Sequence, residues 1–447
     1  MNQNNISAAE LFLRVRELLI LPELEPKTRN KMMHDTLILC CHEGVKETKQ
    51  AFGNLFSQVD YLCKAHGIKV ADKIAIQTMR RHSNSQEPLS SEDLKYDARA
   101  LAIFISAVFG VDVPHELNVL IPHTNRPYQK GLEINNHRIR CIVKNWDSDF
   151  IRVDIDQDAD EEEYLVQLKD EENHIDHTYL WDILKEGMQL NLLDCQVKQP
   201  VITPRLIVVE PDYLVDISSI ATCFTAFGHH PLLYLLNQMK PRANTQATLL
   251  GNFAGAALDD IINTNGKYQM NETIKTNFRE KALEFCTCPW FDAKKFYTDA
   301  NQQAFNLQQV VDILFPRTAS QAQMSAFRGE SLYDRKKAIL EPSFVCEALG
   351  IQGRVDLMTT DCKLLVEQKS GRNMNIETHQ VDPGYHSYQL EPHYVQLLLY
   401  YGVLQHNFKL SNDRVNIRLL YSKYQPQDGL MVVAYYHKLF QEAITYR

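Results

Sequence analysis

The sequence lacks several features that would place it in a special class of protein. Its 447 residues contain no run of about 18 or more apolar residues, so no transmembrane helix and no membrane partner are predicted. The first residues, MNQNNISAAELFLRVRELL, lack a basic stretch followed by an apolar one and a cleavage site. No internal repeat and no GxxxxGK[ST] phosphate-binding loop occurs. We therefore expect a cytoplasmic globular protein.

The ten cysteines form no dense framework, and none is spaced as CxxC. Cys40 with Cys41 and Cys286 with Cys288 are the only close pairs, so a structural zinc site has little support. Reduced thiols are the expectation for such a pattern in a cytoplasmic protein.

The chain also lacks an excess of positive charge. Its net charge is −9, which argues against a large basic nucleic-acid surface, although a local basic groove could still exist. Much of the acid lies in residues 154–176, where Asp154, Asp156 and Asp158 match the first ligand positions of an EF-hand loop. Ala159 and Leu165 stand where that loop requires Gly and Glu, so we exclude calcium and expect a solvated hairpin tip.

The length of the chain, 447 residues, indicates two or three domains. Residues 1–115 show apolar residues at i, i+3, i+4 and i+7 in the segments 8–24, 31–67 and 94–110, which predicts a helical N-terminal domain. Ser90 marks a predicted helix start. These helices could also serve as an interaction module.

Short segments rich in β-branched residues follow over 116–215, and they predict a small β-barrel, of which an OB-like fold is one form. Such a barrel suits nucleic-acid binding, but it also suits a plain spacer. The predicted strands are LNVLIP, HRIRCIVKNW, FIRVDID, EYLVQLK, MQLNLLDCQVKQ and PRLIVVEPDYLVDI.

The third domain, residues 216–447, has a mixed α/β pattern, which makes the whole chain a multi-domain α/β protein. Strands are predicted between 341 and 370 and late in the chain, in VNIRLLYSKY and LMVVAYYH. Helices are predicted over 218–238, 248–264, 272–286 and 395–406.

One stretch of this domain, GRVDLMTTDCKLLVEQKSG (353–371), alternates as a β-hairpin but carries charge within an apolar run. If Thr360 and Asp361 form the loop, Asp356 lies opposite Leu365, and Glu367 is its diagonal neighbour on the same face. Lys369 shares that face, because it is two residues from Glu367. The three charged side chains are therefore expected to converge.

Two converging carboxylates repel each other unless a cation neutralises them, and Mg²⁺ is commonly held by one or two carboxylates. A lysine beside them can position water and offset developing negative charge. The alternative is an exposed, salt-bridged strand face. That alternative explains Glu367 and Lys369 but not the neighbouring Leu-Leu-Val run.

A helix further along the chain adds a second motif, with Gln396 and Tyr400 one turn apart on one face. Together the GxxD strand, the ExK strand and the QxxxY helix resemble the RecB-type branch of the PD-(D/E)xK nucleases. The residues that carry the resemblance are Gly353, Asp356, Glu367, Lys369, Gln396 and Tyr400.

The resemblance implies a restriction-endonuclease-like mixed-sheet core that cleaves DNA with Mg²⁺ or Mn²⁺. Asp356 and Glu367 would bind the metal, Lys369 would position the attacking water, and Gln396 and Tyr400 would orient the substrate. The further metal-binding glutamate would be Glu341 or Glu347, which we place on one preceding strand; Glu341 is favoured for its distance from Asp356.

A finer similarity, over about 120–447, is to the nuclease half of flap-processing helicase–nucleases. It implies single-stranded or flapped DNA as substrate, in replication or repair, and a helicase motor in cis or in trans. The chain could be a nuclease made without its motor or the front part of a longer protein.

Two departures from those relatives stand out. The family helix carries GxxxH with a metal-binding His, and this chain has Gly255 at that position; Asp259 could substitute, although a solvated helix acid is the commoner explanation. Cys223 matches an early cluster-binding cysteine, but no cysteine follows Cys362, so no iron–sulfur cluster is expected. A non-catalytic DNA-binding or scaffold protein with a degenerate nuclease fold is therefore the alternative.

Overall fold

The structure is a computed structural model, and it divides into two compact units, Met1–Asp212 and Tyr213–Arg447. No helix among its described residues has the length and apolar character needed to pass through a bilayer. The described residues are 6–21, 24–84, 88–126, 136–156, 163–241, 244–264, 266–380, 390–410 and 415–447.

The first unit begins with helices, as the periodicity predicts. The predicted start at Ser90 is confirmed: its hydroxyl accepts the Asp93 N–H, and the Asp93 carboxylate accepts the Ser90 N–H. The predicted run 31–67 is two helices, α2 and α3, and the pattern missed α4. The helices are α1 (Ala8–Ile20), α2 (Pro26–Gly44), α3 (Leu55–Ala65), α4 (Val70–Asn84), α5 (Ser91–Phe109) and α6 (His115–Asn118).

Strands make up the rest of this unit. Seven of them form one sheet in the order β7-β8-β3-β2-β1-β6-β9, with β7 and β9 at its edges, so the described strands do not form the closed barrel that we expected. LNVLIP was also wrong as a strand, because its first residues end α6. The strands are β1 (Arg138–Trp146), β2 (Phe150–Ile155), β3 (Tyr164–Gln167), β4 (Lys169–Asp170), β5 (Ile175–Asp176), β6 (Gln189–Leu193), β7 (Gln196–Lys198), β8 (Val201–Thr203) and β9 (Leu206–Val209).

The helices and strands of the first unit have separate apolar cores, one drawn from residues 11–121 and one from 139–207. Polar contacts also link them. Asp154 pairs with Lys73, and Asp156 pairs with Arg80, so these two acids are ion-paired to α4 rather than solvated at a hairpin tip. Asp158 lies outside the described residues.

The second unit is mixed α/β, as predicted, although α12 was missed and the predicted helix 218–238 is two helices around a short hairpin. Its helices are α7 (Ile217–Ala221), α8 (Leu232–Met239), α9 (Gln246–Asn263), α10 (Met270–Glu280), α11 (Ala282–Cys286), α12 (Ala293–Leu314), α13 (Ala319–Phe327), α14 (Met374–Thr378), α15 (Glu391–Phe408), α16 (Pro426–Gly429) and α17 (His437–Tyr446). Its strands are β10 (Val215–Asp216), β11 (Phe224–Thr225), β12 (Gly228–His229), β13 (Ala338–Leu340), β14 (Ser343–Cys346), β15 (Ile351–Arg354), β16 (Leu357–Thr359), β17 (Leu364–Lys369), β18 (Asn416–Tyr421) and β19 (Leu430–Val432).

A five-stranded sheet, in the order β13-β16-β17-β18-β19, is the frame of this unit. It is mixed, because β17 runs parallel to β18 while the other neighbours are antiparallel. Leu364 and Val366 of β17 pack with α9 and α12 in one apolar core. The alternate residues Glu367 and Lys369 contact α15, so the two faces of β17 serve different purposes.

Candidate active site

The hairpin that carries the acidic residues has a longer turn than we predicted. Met358 pairs with Leu365 and Leu357 pairs with Val366, which leaves residues 360–363 as the connection. The Thr359 hydroxyl stabilises this turn by accepting the N–H groups of Lys363, its last residue, and Leu364, the first residue of β17, each at 3.1 Å. The predicted two-residue loop was therefore wrong.

The change in register brings the two acids closer without moving either to the other face. A shift of two residues keeps every side chain on its side of the sheet. Continuing the observed register by one pair places Asp356 opposite Glu367 rather than opposite Leu365. The Oδ2 atom of Asp356 also accepts the backbone N–H of Gln368 at 2.6 Å, which ties it to β17.

Glu367 is the most enclosed of the site's charged groups, with 3% of its side chain exposed. Burial, together with the negative charge of Asp356, raises the pKa of Glu367 to about 8, against the opposing effect of Lys369. Burial likewise raises the pKa of Asp356, although the hydrogen bond from Gln368 and the charge of Lys369 oppose this. Both carboxylates therefore lack sufficient positive charge around them.

The two oxygens of Glu367 have different surroundings. Its Oε1 atom accepts hydrogen bonds from the Lys369 ammonium and from the Gln396 amide, both at 2.7 Å. Its Oε2 atom is buried and has no hydrogen-bond partner among the described residues. A buried carboxylate oxygen without a partner is costly, so this atom is a candidate ligand for a cation.

Helix α15 supplies the two residues of the third motif, and both contact the strands. The Gln396 amide donates to Glu367 and accepts from Lys369 at 2.9 Å, which links the acid and the base. Tyr400 donates its hydroxyl to the carbonyl oxygen of Arg354 at 2.6 Å. The structure thus brings together Asp356, Glu367, Lys369 and the QxxxY helix.

Glu341 and Glu347 do not lie on one strand, so that part of the prediction was wrong. Glu341 lies between β13 and β14 with a φ of 48°, and Glu347 lies in the turn after β14. Glu341 is nevertheless beside the site: its N–H donates to the Asp356 carbonyl at 3.0 Å. Its carboxylate pairs with Arg354 at 3.1 Å. Its role as a metal ligand stays a prediction.

Helix α9 approaches the end of β17 at Gly251, and Gly255 and Asp259 follow on the same helix. A Cβ atom at Gly251 would lie 3.1 Å from the hydroxyl of Ser370, whereas one at Gly255 would meet nothing within 4 Å. Asp259 is half-buried rather than a solvated helix acid. Burial and the charges of Glu341 and Asp356 raise the pKa of Asp259 to about 7.

His393 is a neighbour of the site that sequence reasoning missed. It precedes Gln396 by one turn, and its Nδ1 atom lies 2.9 Å from the hydroxyl of Tyr421. Burial and the charge of Lys369 lower the pKa of His393 to about 4, so the ring is neutral near pH 7. No sequence signal could have found it, because its position follows from how α15 packs on β17 and β18.

A second missed group supports the end of β17 from the opposite face. The Ser422 hydroxyl accepts from the Gln368 amide and donates to the Gln303 amide, while Asn306 donates to the Ser422 carbonyl at 2.9 Å. These side chains are buried and come from α12, β17 and the residue after β18. They hold together the carboxyl ends of two parallel strands, where Lys369 lies.

The donor set fits a hard divalent cation on one observation, the buried Oε2 atom of Glu367, which has no described hydrogen-bond partner while the charge of Asp356 acts on the same carboxylate. Among the described residues, no three Asp, Glu, His or Cys side chains form a group that could hold a metal ion as they stand. Asp356 and Glu367 would be the shared ligands, and Glu341 is adjacent to them.

Comparison with protein-family models finds no match, and comparison with curated proteins finds no relative. The likeness to RecB-type nucleases therefore depends on the motifs and on the contacts between them.

Proposed function

We propose that this protein is a divalent-metal-dependent deoxyribonuclease that hydrolyses phosphodiester bonds. The observation that carries the proposal is the enclosed pair Asp356 and Glu367, with one carboxylate oxygen unpartnered and Lys369 beside it. A cation bound between the two acids would supply the partner that this buried oxygen lacks.

Asp356 and Glu367, together with Glu341, would hold Mg²⁺ or Mn²⁺. The ion would neutralise part of the phosphate charge and would lower the pKa of the attacking water. The protein's own part is to keep these ligands in place, and the hydrogen bonds from Gln368 to Asp356 and from Gln396 to Glu367 do so.

Lys369 would orient water and stabilise the negative charge that develops on the phosphate. Its ammonium is held by Glu367 and Gln396, so it enters the reaction without first losing the freedom of a long side chain. Its side chain keeps 20% of its surface exposed, which leaves it accessible to substrate. Gln396 acts through this contact, and Tyr400 acts by anchoring α15 to β15.

The substrate that the motif resemblance suggests is single-stranded or flapped DNA, in replication or repair. The sheet of the first unit could guide such a strand by stacking and phosphate contacts. A helicase motor, in cis or in trans, would deliver the strand.

A specific observation favours the alternative, a non-catalytic DNA-binding protein. Glu341 already pairs with Arg354, and Gly255 offers no ligand, so the site could have lost its metal. In that case DNA binding would persist without cleavage and without divalent cations.

The deciding experiment incubates end-labelled single-stranded and flapped DNA with the full chain and Mg²⁺ or Mn²⁺. Cleavage is expected for the wild type and is expected to fall by at least about 100-fold in Glu367→Ala and in Lys369→Ala. Lys363→Ala removes an exposed lysine of the same hairpin and is the matched control. Cleavage that survives both site substitutions would exclude the proposal, whereas metal-independent DNA binding without cleavage would support the alternative.

A further inference from the structure

Away from the acidic residues of the site, one histidine joins three elements of the second unit. His229, in strand β12, lies between two carboxylates. Its Nε2 atom is 2.8 Å from Oε2 of Glu391, and its Nδ1 atom is 2.9 Å from Oε1 of Glu442. Glu391 is the first residue of helix α15, and Glu442 lies in α17. The ring therefore ties the β11–β12 hairpin to two helices that follow much later in the chain.

The two contacts together require the ring to carry two protons. A neutral imidazole has one N–H group, and an ionised carboxylate can only accept a hydrogen bond. With an oxygen at hydrogen-bond distance from each ring nitrogen, only the imidazolium form donates to both. Partial burial opposes the charged ring, but the hydrogen bonds and charges of Glu391 and Glu442 outweigh burial and raise the pKa of His229 above its ordinary 6.5.

The other groups around this ring are neutral. The Phe224 ring of β11 packs against His229 with the two centroids 4.7 Å apart. From α17, the Tyr446 hydroxyl donates to the same Glu442 oxygen at 3.0 Å, and burial together with that contact raises the pKa of Tyr446 to about 12. Burial also raises the pKa of the thiol of Cys223, the residue before β11. The two glutamates are thus the charged groups that the described residues place at the ring.

The beginning of α15 is where this contact matters. The N-cap position is Leu390, which has no side-chain acceptor for the free N–H groups of the helix. Gln396 follows Glu391 by little more than one turn. Gln396 bonds both the acid and the base of the candidate active site, Glu367 and Lys369. A movement of the first turn can therefore displace Gln396.

We propose that the imidazolium of His229 is a clamp that fixes the start of α15, and that loss of one ring proton opens it. The neutral ring would keep a hydrogen bond to one glutamate and present a lone pair to the other. Because the folded state holds the proton more tightly than the unfolded state, the clamp's contribution to stability is complete below pH 6.5 and is lost as the pH rises through the raised pKa of His229. The clamp does not depend on what the site does, whereas its effect on cleavage rests on the proposed function.

The first measurement is an NMR titration of the full chain with ¹³C-labelled histidine rings. The signal of His229 is the one that His229→Gln removes. It should titrate above pH 6.5, and its pKa should fall in Glu442→Gln, which removes one of the two charges. His230→Gln is the matched control, because His230 is exposed and accepts the backbone N–H of Leu232 instead of facing a carboxylate. An unchanged pKa of His229 in Glu442→Gln would contradict the proposal.

The second measurement follows hydrogen exchange at the start of α15 by mass spectrometry, corrected for the intrinsic rate at each pH. At pH 6, His229→Gln should speed this exchange by about threefold, the size expected for partly exposed ion pairs. About two pH units above the pKa of His229, the wild type and His229→Gln should exchange alike. Because Glu367 also titrates in this range, the variants are compared with each other at one pH.

His229→Lys separates the charge of the clamp from the shape of the ring. A lysine ammonium has three donors and an ordinary pKa of about 10.4, so it can bond both glutamates after the histidine has become neutral. Slow exchange at the start of α15 should then persist at the higher pH. Fast exchange in His229→Lys at both pH values would show that charge does not hold the helix, and would overturn the proposal.

Cleavage assays separate the clamp from the proposed function. As the pH passes the pKa of His229, kcat on single-stranded DNA should fall more for the wild type than for His229→Lys, while KM changes little. If the wild type cleaves no DNA, the proposed function fails, and titration and exchange still decide the clamp. If His229→Gln leaves exchange at pH 6 unchanged, the clamp fails, although cleavage that depends on Glu367 would stand.

Discussion

The edge of the Tyr400 ring lies against Gly353, so that a Cβ atom on this glycine would be 2.9 Å from Cε1 of the tyrosine. The first glycine of the GxxD strand and the tyrosine of the QxxxY helix therefore pack against each other. A glycine suits position 353 because a side chain would lack space there, and not because of the backbone conformation, since Gly353 has no positive φ angle. The tyrosine hydroxyl then reaches the carbonyl of the next residue, Arg354, at 2.6 Å.

Replacing Gly353 by alanine should disturb this contact. The added methyl group must displace the Tyr400 ring or the backbone of β15, and overpacking of this kind costs about 1–3 kcal/mol. We expect Gly353→Ala to lower the free energy of unfolding by that amount in urea titrations. Gly371→Ala is the control, because a Cβ atom at Gly371 meets nothing within 4 Å. Equal stability of the two variants would show that the ring moves without cost.

Gln396→Ala should reduce turnover more than substrate affinity. The amide fixes Lys369 and Glu367 relative to each other, and a misplacement near 1 Å at a reacting group can cost about 100-fold in rate. We therefore expect kcat on single-stranded DNA to fall by about that factor while KM changes little. Asn407→Ala, at the other end of α15, removes an exposed amide that bonds Val345 and should retain the wild-type kcat. A rise in KM alone would instead indicate that Gln396 binds the substrate directly.

In a chelator, the protein should become less stable as the pH rises from about 4.5 to about 8. Glu367 has a pKa of about 8 in the folded state against 4.5 when unfolded, so over this window the folded state binds the extra proton. Stability falls wherever the folded state binds more protons, here by at most about 1.4 kcal/mol per pH unit from this group. Glu367→Gln should flatten the dependence, as measured by urea unfolding at several pH values.

The control for this pH dependence is Glu377→Gln. The contribution of Glu377 to stability is lost as the pH falls, whereas that of Glu367 is lost as the pH rises. Hydrogen bonds from Arg372 and Tyr424 lower the pKa of Glu377 to about 2, so its contribution is present above pH 4.5 and is lost as the pH falls toward 2. If Glu367→Gln left the slope between pH 4.5 and 8 unchanged, the Glu367 carboxylate would already be ionised in the folded protein at low pH.

Gly255→His should raise the affinity for Mn²⁺ about tenfold. A side chain there enters open space on α9, one turn after Gly251, and an imidazole nitrogen is a suitable ligand for transition metals. The substitution also removes a glycine from a helix interior, which should stabilise the fold by a few tenths of a kcal/mol. Gly255→Gln fills similar space without an imidazole and is the matched control. Equal affinity of the two variants would place residue 255 away from the ion.

Patterns along the chain predicted the features that depend on local spacing. The capping box at Ser90 and Asp93, the strands of the hairpin and the shared face of Glu367 and Lys369 all follow from fixed periods of helix and strand. The turn length was not predictable in this way, because it depends on the Thr359 hydroxyl accepting the backbone N–H groups of Lys363 and Leu364. The observed register therefore differs by two residues from the predicted one, and its continuation places Asp356 opposite Glu367.

The closed barrel and the strand containing Glu341 and Glu347 failed for a related reason. Whether β7 and β9 meet depends on the twist and stagger of all the strands between them, which no single segment contains. Glu341 lies in a bend because its neighbours β13 and β14 belong to different sheets.

The sequence by itself determined which residue types lie on which face of each element, since the periods of 3.6 and 2 residues are local properties of the backbone. Only the tertiary structure decided that Glu367 keeps one oxygen without a described partner and that Gln396 joins Glu367 to Lys369. These relationships depend on how helices α9 and α15 pack against the sheet. Burial then sets the charge balance of the site, because desolvation acts only once the elements have assembled.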